Sequence, residues 1–81
     1  MKKAKTRYQL LKENEEIIYL FIKNGIITSL IIRDIEIYKT FIKLEESIKN
    51  FELRYSLIGE EYELSAKRVE QIVLSMQKEA D

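Results

Sequence analysis

The sequence has no histidine, no cysteine, no proline and no tryptophan, and only two glycines among its 81 residues. Without His or Cys there is no imidazole or thiolate to hold a metal, no histidine general base, no cysteine nucleophile and no disulfide. No metal and no cofactor is therefore expected. The missing proline and scarce glycine leave few sharp corners, which favours a few long helices over many short strands. An excess of one charge is also absent: Lys plus Arg is 14 and Asp plus Glu is 14, so the chain is not a bulk polycation. The longest apolar run, residues 17–22, is far short of a membrane-spanning helix. The basic start MKKAKTRYQLLK runs into Glu13, Glu15 and Glu16 rather than into an apolar signal core. The expectation is a cytoplasmic protein with no membrane partner.

What is present points to one folded domain over residues 1–81. Apolar residues make up 46% and charged residues 35%, too apolar a mixture for a disordered chain. A domain this small hides only about 60–65% of its unfolded surface. With no disulfide or zinc to staple it, dense helix packing or self-association must supply stability. Thirteen residues are isoleucine, many of them clustered between Ile17 and Ile48. That is more apolar surface than a short helical domain easily hides, so a homodimer is expected. Charge is unevenly spread. Residues 1–12 carry Lys2, Lys3, Lys5, Arg7 and Lys12 with no acid, a net +5, whereas residues 51–81 are net −3. Residues 1–6 read as a solvated basic tail. In the sharper alternative, Lys2, Lys3, Lys5 and Arg7 form an arm that contacts phosphates.

Four helices are expected. Thr6 followed by Gln9 is a capping-box pattern that can open a helix over about 7–24, with Tyr8, Leu11, Ile18 and Phe21 or Ile22 inward. Glu13, Glu15 and Glu16 suit either its outer face or a fresh helix start at Asn14. Asn24-Gly25 offers a helix end, because Gly accepts positive φ. The same pair between apolar runs is also a hairpin signal. Neither run alternates strictly, and a chain this short has little with which to cover two doubly buried strands. Thr28 or Ser29 can cap a second helix reaching about 46–48. It carries two apolar rows, Ile31, Ile35, Tyr38, Ile42 and Ile37, Phe41, Leu44, Ile48; it is either the central helix of the core or a dimer seam. Asn50 can cap a third helix over 51–62, with Leu53, Leu57 and Ile58 inward. Ser65 can cap a fourth over about 66–80, with Val69, Ile72, Val73 and Met76 inward. Residues 7–48 then form a packing and dimerising platform, and residues 50–80 a helix-turn-helix.

The informative stretch is IGEEYELSAKRVEQIV, residues 58–73. Two helices follow each other with only a few residues between them. Gly59 lies inside the first, where it costs about 1 kcal/mol relative to Ala; it makes sense if the second helix crosses close above it. Leu64 sits in the turn and points back to the core, while Val69 and Ile72 lock the second helix against the first. Small residue, apolar turn residue and two apolar residues at this spacing are the signature of a DNA-binding helix-turn-helix. The second helix would enter the major groove with Ser65, Ala66, Lys67, Arg68, Glu70 and Gln71 on or near its reading face. Ser65 as N-cap lies where backbone N–H groups can meet phosphate. Gln71 can bond to adenine, and Lys67 or Arg68 to guanine or phosphate. Tyr62 is expected to pack rather than to contact DNA.

This stretch resembles the helix-turn-helix of sigma-factor region 4, through Ile58-Gly59, Glu61-Tyr62, Leu64-Ser65, Arg68-Val69 and Gln71-Ile72. It is also similar to the C-terminal half of Mor-type phage transcription activators and of small Bacteroidetes-like helix-turn-helix proteins, over roughly residues 51–78. The resemblance implies promoter DNA binding through the first turns of the second helix, with Arg68 and Gln71 carried over by position. Ala66 and Glu70 stand where such modules often have basic residues. Glu63 stands where many such turns have Gly, so it must take an unfavourable backbone conformation or a different turn. The module is acidic, so phosphate neutralisation needs the N-terminal cations or a dimer partner.

No enzyme is expected. Adjacent carboxylates such as Glu15/Glu16, Glu45/Glu46 and Glu60/Glu61 do not converge on one point of a helix. No nucleophile–base pair and no Gly-rich phosphate loop is visible. The expected role is a small transcriptional regulator that binds double-stranded DNA in a sequence-specific manner. The alternative is a helix-turn-helix-shaped protein-interaction module, for example one docking on RNA polymerase.

Overall fold

The computed structural model describes residues 4–80. Its elements are all helical, in the order α1 (Arg7–Glu13), α2 (Glu15–Lys23), α3 (Leu30–Leu44), α4 (Phe51–Tyr62) and α5 (Ala66–Gln77). The expected first helix is thus two. Its start is as the capping box requires: Gln9 N–H donates to the Thr6 hydroxyl (3.2 Å) and Thr6 N–H donates to the Gln9 side chain (2.8 Å). The interruption falls at Asn14, whose backbone leaves helical geometry (φ −117°, ψ 22°) and whose amide donates to the Leu10 carbonyl at 2.7 Å. This is the competition between an Asn side chain and the helical backbone that disfavours Asn mid-helix. Glu15 and Glu16 then lie in the first turn of α2, beside its positive end.

Asn24-Gly25 ends α2 rather than turning a hairpin. Gly25 takes φ +73° and its N–H bonds to the Ile22 carbonyl at 3.0 Å. No sheet forms among the described residues; a single antiparallel bridge joins Thr6 to Glu79. Arg7 N–H donates to the Lys78 carbonyl (2.7 Å) and Ala80 N–H to the Lys5 carbonyl (2.8 Å). The expected free tail is therefore tied down from Lys5 onward, while Lys2 and Lys3 lie outside the described residues.

The core forms where α3, α4 and α5 meet. Ile37 and Phe41 from α3, Tyr55 and Ile58 from α4, and Val69, Ile72 and Val73 from α5 make one buried cluster. Each such aliphatic side chain contributes about 1.5–3 kcal/mol by leaving water. Tyr38, Tyr62, Leu64 and Ala66 pack against its edge. Helix α3 is the central helix of the two alternatives, touching α1, α4 and α5. It ends at Leu44, a few residues short of the expected 46–48. Its two rows are not equally covered: Ile42 is 42% exposed.

Helix α4 has the expected bounds and the expected cap, Leu53 N–H donating to Asn50 Oδ1 at 2.9 Å. Its inner face is rotated from expectation. Leu53 and Leu57 are 49% and 40% exposed, whereas Arg54, Tyr55, Ile58 and Gly59 are buried. The rotation is set by Arg54. Its guanidinium lies between the rings of Phe41 (4.4 Å) and Phe51 (4.6 Å). It donates to the Phe41 carbonyl (3.4 Å) in the last turn of α3, where partial negative charge accumulates, and to the Lys49 carbonyl (3.5 Å) in the loop before α4. Only its Nε has no partner. A charged residue thus occupies a core position, supported by two ring faces and two carbonyls rather than by a carboxylate.

Candidate nucleic-acid interface

Helices α4 and α5 are joined by residues 63–65, and the backbone of that joint decides what α5 presents. Glu63 takes the left-handed conformation, φ 58° and ψ 43°, the single positive-φ residue other than glycine among the described residues. Leu64 N–H reaches back to the Gly59 carbonyl at 2.8 Å, the six-to-one closure that ends a helix after a left-handed residue. The turn is therefore closed with Glu63, not a glycine, at its left-handed position. The glycine is needed one turn earlier. A Cβ on Gly59 would collide with the Leu64 carbonyl oxygen. The object close above Gly59 is thus the returning backbone of the turn, not the body of the second helix. Leu64 is half-buried against the core, as expected of the turn residue.

Ser65 then opens α5. Its hydroxyl accepts the Arg68 N–H at 3.1 Å, leaving the N–H groups of Ala66 and Lys67 without intrahelical acceptors. Val69, Ile72, Val73 and Met76 are all buried, at 0%, 4%, 0% and 4% exposure. With 3.6 residues per turn, the opposite side of α5 carries Lys67, Gln71 and Leu74, all exposed, and the exposed Lys78 follows as the extended C-cap residue. Arg68 is exposed on one flank, with Ser75 further along the same flank, and Arg7 of α1 donates to the Ser75 hydroxyl at 3.3 Å. The Arg7 guanidinium is thus placed beside the C-terminal half of α5. Lys5 reaches Glu13 at 2.6 Å.

The other flank has a different character. Ala66 is half-buried against the core. Glu70 is half-buried and lines a shallow groove of about 390 Å³ between α4 and α5, together with Glu52, Tyr55, Ser56, Ala66 and Lys67. Burial pushes the Tyr55 phenol above its ordinary value, and the nearby Glu70 carboxylate adds to this. Lys67 pairs with Glu70 at 3.1 Å and Arg68 donates to the Gln71 side chain at 3.5 Å. Of the six residues expected on the reading face, Lys67, Arg68 and Gln71 lie together and outward. Ser65 caps, Ala66 packs, and Glu70 turns toward α4. Sequence reasoning missed Leu74, 50% exposed in the middle of this face; it lies three residues after Gln71, which was signal enough.

The flanks give α5 an electrostatic direction. Arg68 and Arg7 lie on one side and Glu52 and Glu70 on the other. Among the described residues no group of three or more Asp, Glu, His or Cys could hold a metal ion, and no helix is long and apolar enough to cross a membrane. Compared with known proteins, the chain matches no family model, no curated protein and no solved structure.

Proposed function

We propose that this chain is a small transcriptional regulator that binds duplex DNA in a sequence-specific manner, with α4, the 63–65 turn and α5 working as a helix-turn-helix. The observation that carries this reading is the division of α5. Its inner side is fixed by four buried apolar residues and a closed left-handed turn, while its outer side is open and, Leu74 apart, polar from Lys67 to Lys78. In the major groove Arg68 and Gln71 would meet base edges. Lys67, Lys78 and Arg7 would meet phosphate, and the N–H groups of Ala66 and Lys67 would cap a further phosphate. The carboxylates of Glu52 and Glu70 disfavour phosphate on the α4 side, so the duplex backbone would run along the Arg68–Arg7 flank.

The test is selection of a binding site from a random duplex pool, followed by fluorescence anisotropy on the selected duplex. Arg68→Ala and Gln71→Ala should each weaken binding by roughly 10- to 100-fold with unchanged circular dichroism. With about three phosphates neutralised per copy by Lys67, Lys78 and Arg7, log K should fall against log salt with a slope near −3. Equal binding by the double variant would remove the reading face. A second reading rests on Leu74: a half-exposed leucine amid this face suits contact with a protein, such as RNA polymerase or another regulator. That reading requires no saturable duplex binding at any salt concentration.

A further inference from the structure

Helix α2 is apolar on the side that faces away from the molecule. Ile18 is its one buried residue, whereas Ile17, Leu20 and Phe21 are 48%, 56% and 39% exposed. The loop that follows folds onto the same end, Ile26 and Ile27 both directing N–H groups at the Phe21 carbonyl (2.8 and 3.5 Å). These two isoleucines are 65% and 37% exposed, and Leu30 at the start of α3 is 55% exposed. Helix α2 packs on α1 and on neither α4 nor α5. The radius of gyration is accordingly 13.6 Å, against about 12 Å for a compact chain of this length.

We infer that this face is the contact surface of a homodimer in which α2 packs antiparallel on α2 of a second copy. Two observations select that occupant. The first is area. The six apolar residues together expose the equivalent of three whole residues, which at ~200 Å² for a large apolar residue is ~600 Å² a side. Two copies that cover all of it hide at most ~1,200 Å² before any polar rim, the lower edge of the range for stable specific interfaces. The same area on a monomer stands at the upper limit of what such proteins leave bare. The second is charge. Glu16 and Lys23 lie seven residues apart, two turns of α2, along one edge of the apolar stripe, and neither makes an ion pair among the described residues. A two-fold axis that sets α2 antiparallel against its copy keeps both charged edges on one side. Glu16 of each chain then meets Lys23 of the other, twice over, and the two helix dipoles oppose. A parallel pairing would bring like ends together. The inference concerns α2 alone and holds whatever α5 binds.

Sedimentation velocity on the whole chain from ~1 μM to ~500 μM, without DNA, is the test. The wild type should pass from monomer to dimer. Leu20→Glu, an exposed position whose change leaves the fold intact by circular dichroism, should weaken association at least ~100-fold, since two charges would be hidden per dimer. Glu16→Lys and Lys23→Glu should each weaken self-association by about tenfold, and their equimolar mixture should recover wild-type affinity to within about threefold by forming the heterodimer. A wild type that stays monomeric at every concentration overturns the inference, as does a dimer indifferent to Leu20→Glu. Single swaps without effect overturn the antiparallel arrangement.

Discussion

Glu63 is the residue at which the turn between α4 and α5 is least well served by its amino acid, so changing it should stabilise the protein. A side chain with a Cβ in the left-handed region costs roughly 1–2 kcal/mol, and Glu63 sits there at φ 58°. Glycine removes that cost but adds freedom to the unfolded chain, worth about 0.4–1 kcal/mol. Glu63→Gly should therefore gain a net of about 0.5–1 kcal/mol, which for a domain of this size raises Tm by roughly 2–8 °C. The carboxylate also lies at the negative end of α4, so Glu63→Gln isolates the charge contribution, expected at about 0.3 kcal/mol. Glu63→Asn should fall between Gln and Gly, because Asn tolerates this conformation better than most residues. Glu63→Val, β-branched, should lie below the wild type. Thermal melts and urea titrations of the five proteins give the ranking. A Gly variant no more stable than the Gln variant would refute the backbone argument. Gly59→Ala completes the series in the opposite direction. A new methyl group there meets the Leu64 carbonyl, and even after the helix-propensity gain of Ala the loss should be about 2 kcal/mol.

The remaining predictions concern Arg54 and alkaline pH. Arg54→Lys should destabilise by about 2–3 kcal/mol in urea titration, because an ammonium cannot lie flat between Phe41 and Phe51 while reaching two carbonyls. Arg54→Met, similar in length and uncharged, should cost less than Lys; the reverse order would show that the charge rather than the stacking matters. The raised pKa of Tyr55 means that the unfolded chain releases this proton first as pH climbs past about 10. Stability supplied by the neutral, buried phenol is thus whole below that pH and drains away between the unfolded and folded values. Tyr55→Phe should lose less stability between pH 9 and 11 than wild type in chemical denaturation. Lys39 adds to the same alkaline loss. Its hydrogen bond to the Glu15 carboxylate holds its pKa up, so both proteins should retain a residual decline.

Helix ends were the most legible part of the fold, because a cap is a local event. Thr6 with Gln9, Asn50 and Ser65 each announce a helix by a side-chain acceptor at the right spacing, and all three make that bond. The inner face of α5 was equally plain, since four apolar residues recur at helical steps with no charged residue among them. The face of α4 was not. Arg54 occupies a core position and breaks the apolar period, so Leu53 and Leu57 look like the inward pair until Phe41 is brought in from α3 to sandwich the guanidinium against Phe51, one turn back on α4. The break at Asn14 was visible as an alternative, with two acids following a capping residue, but nothing local ranks one helix above two. On α5, spacing alone separates the exposed Lys67, Arg68 and Gln71 from the buried row, but it does not reveal that Ala66 and Glu70 are half-buried. Small and acidic residues at the boundary of a face are assigned by the neighbouring helix, which no single stretch of sequence contains.

The Thr6–Glu79 bridge works as a clasp. Because Lys5 and Arg7 exchange backbone bonds with Ala80 and Lys78, the path of the chain closes into a ring whose seam lies at the far end of α5. A cut in the exposed stretch 45–47 between α3 and α4 would leave every helix whole, and the two pieces would still be held together by this clasp and by the core that α3, α4 and α5 share.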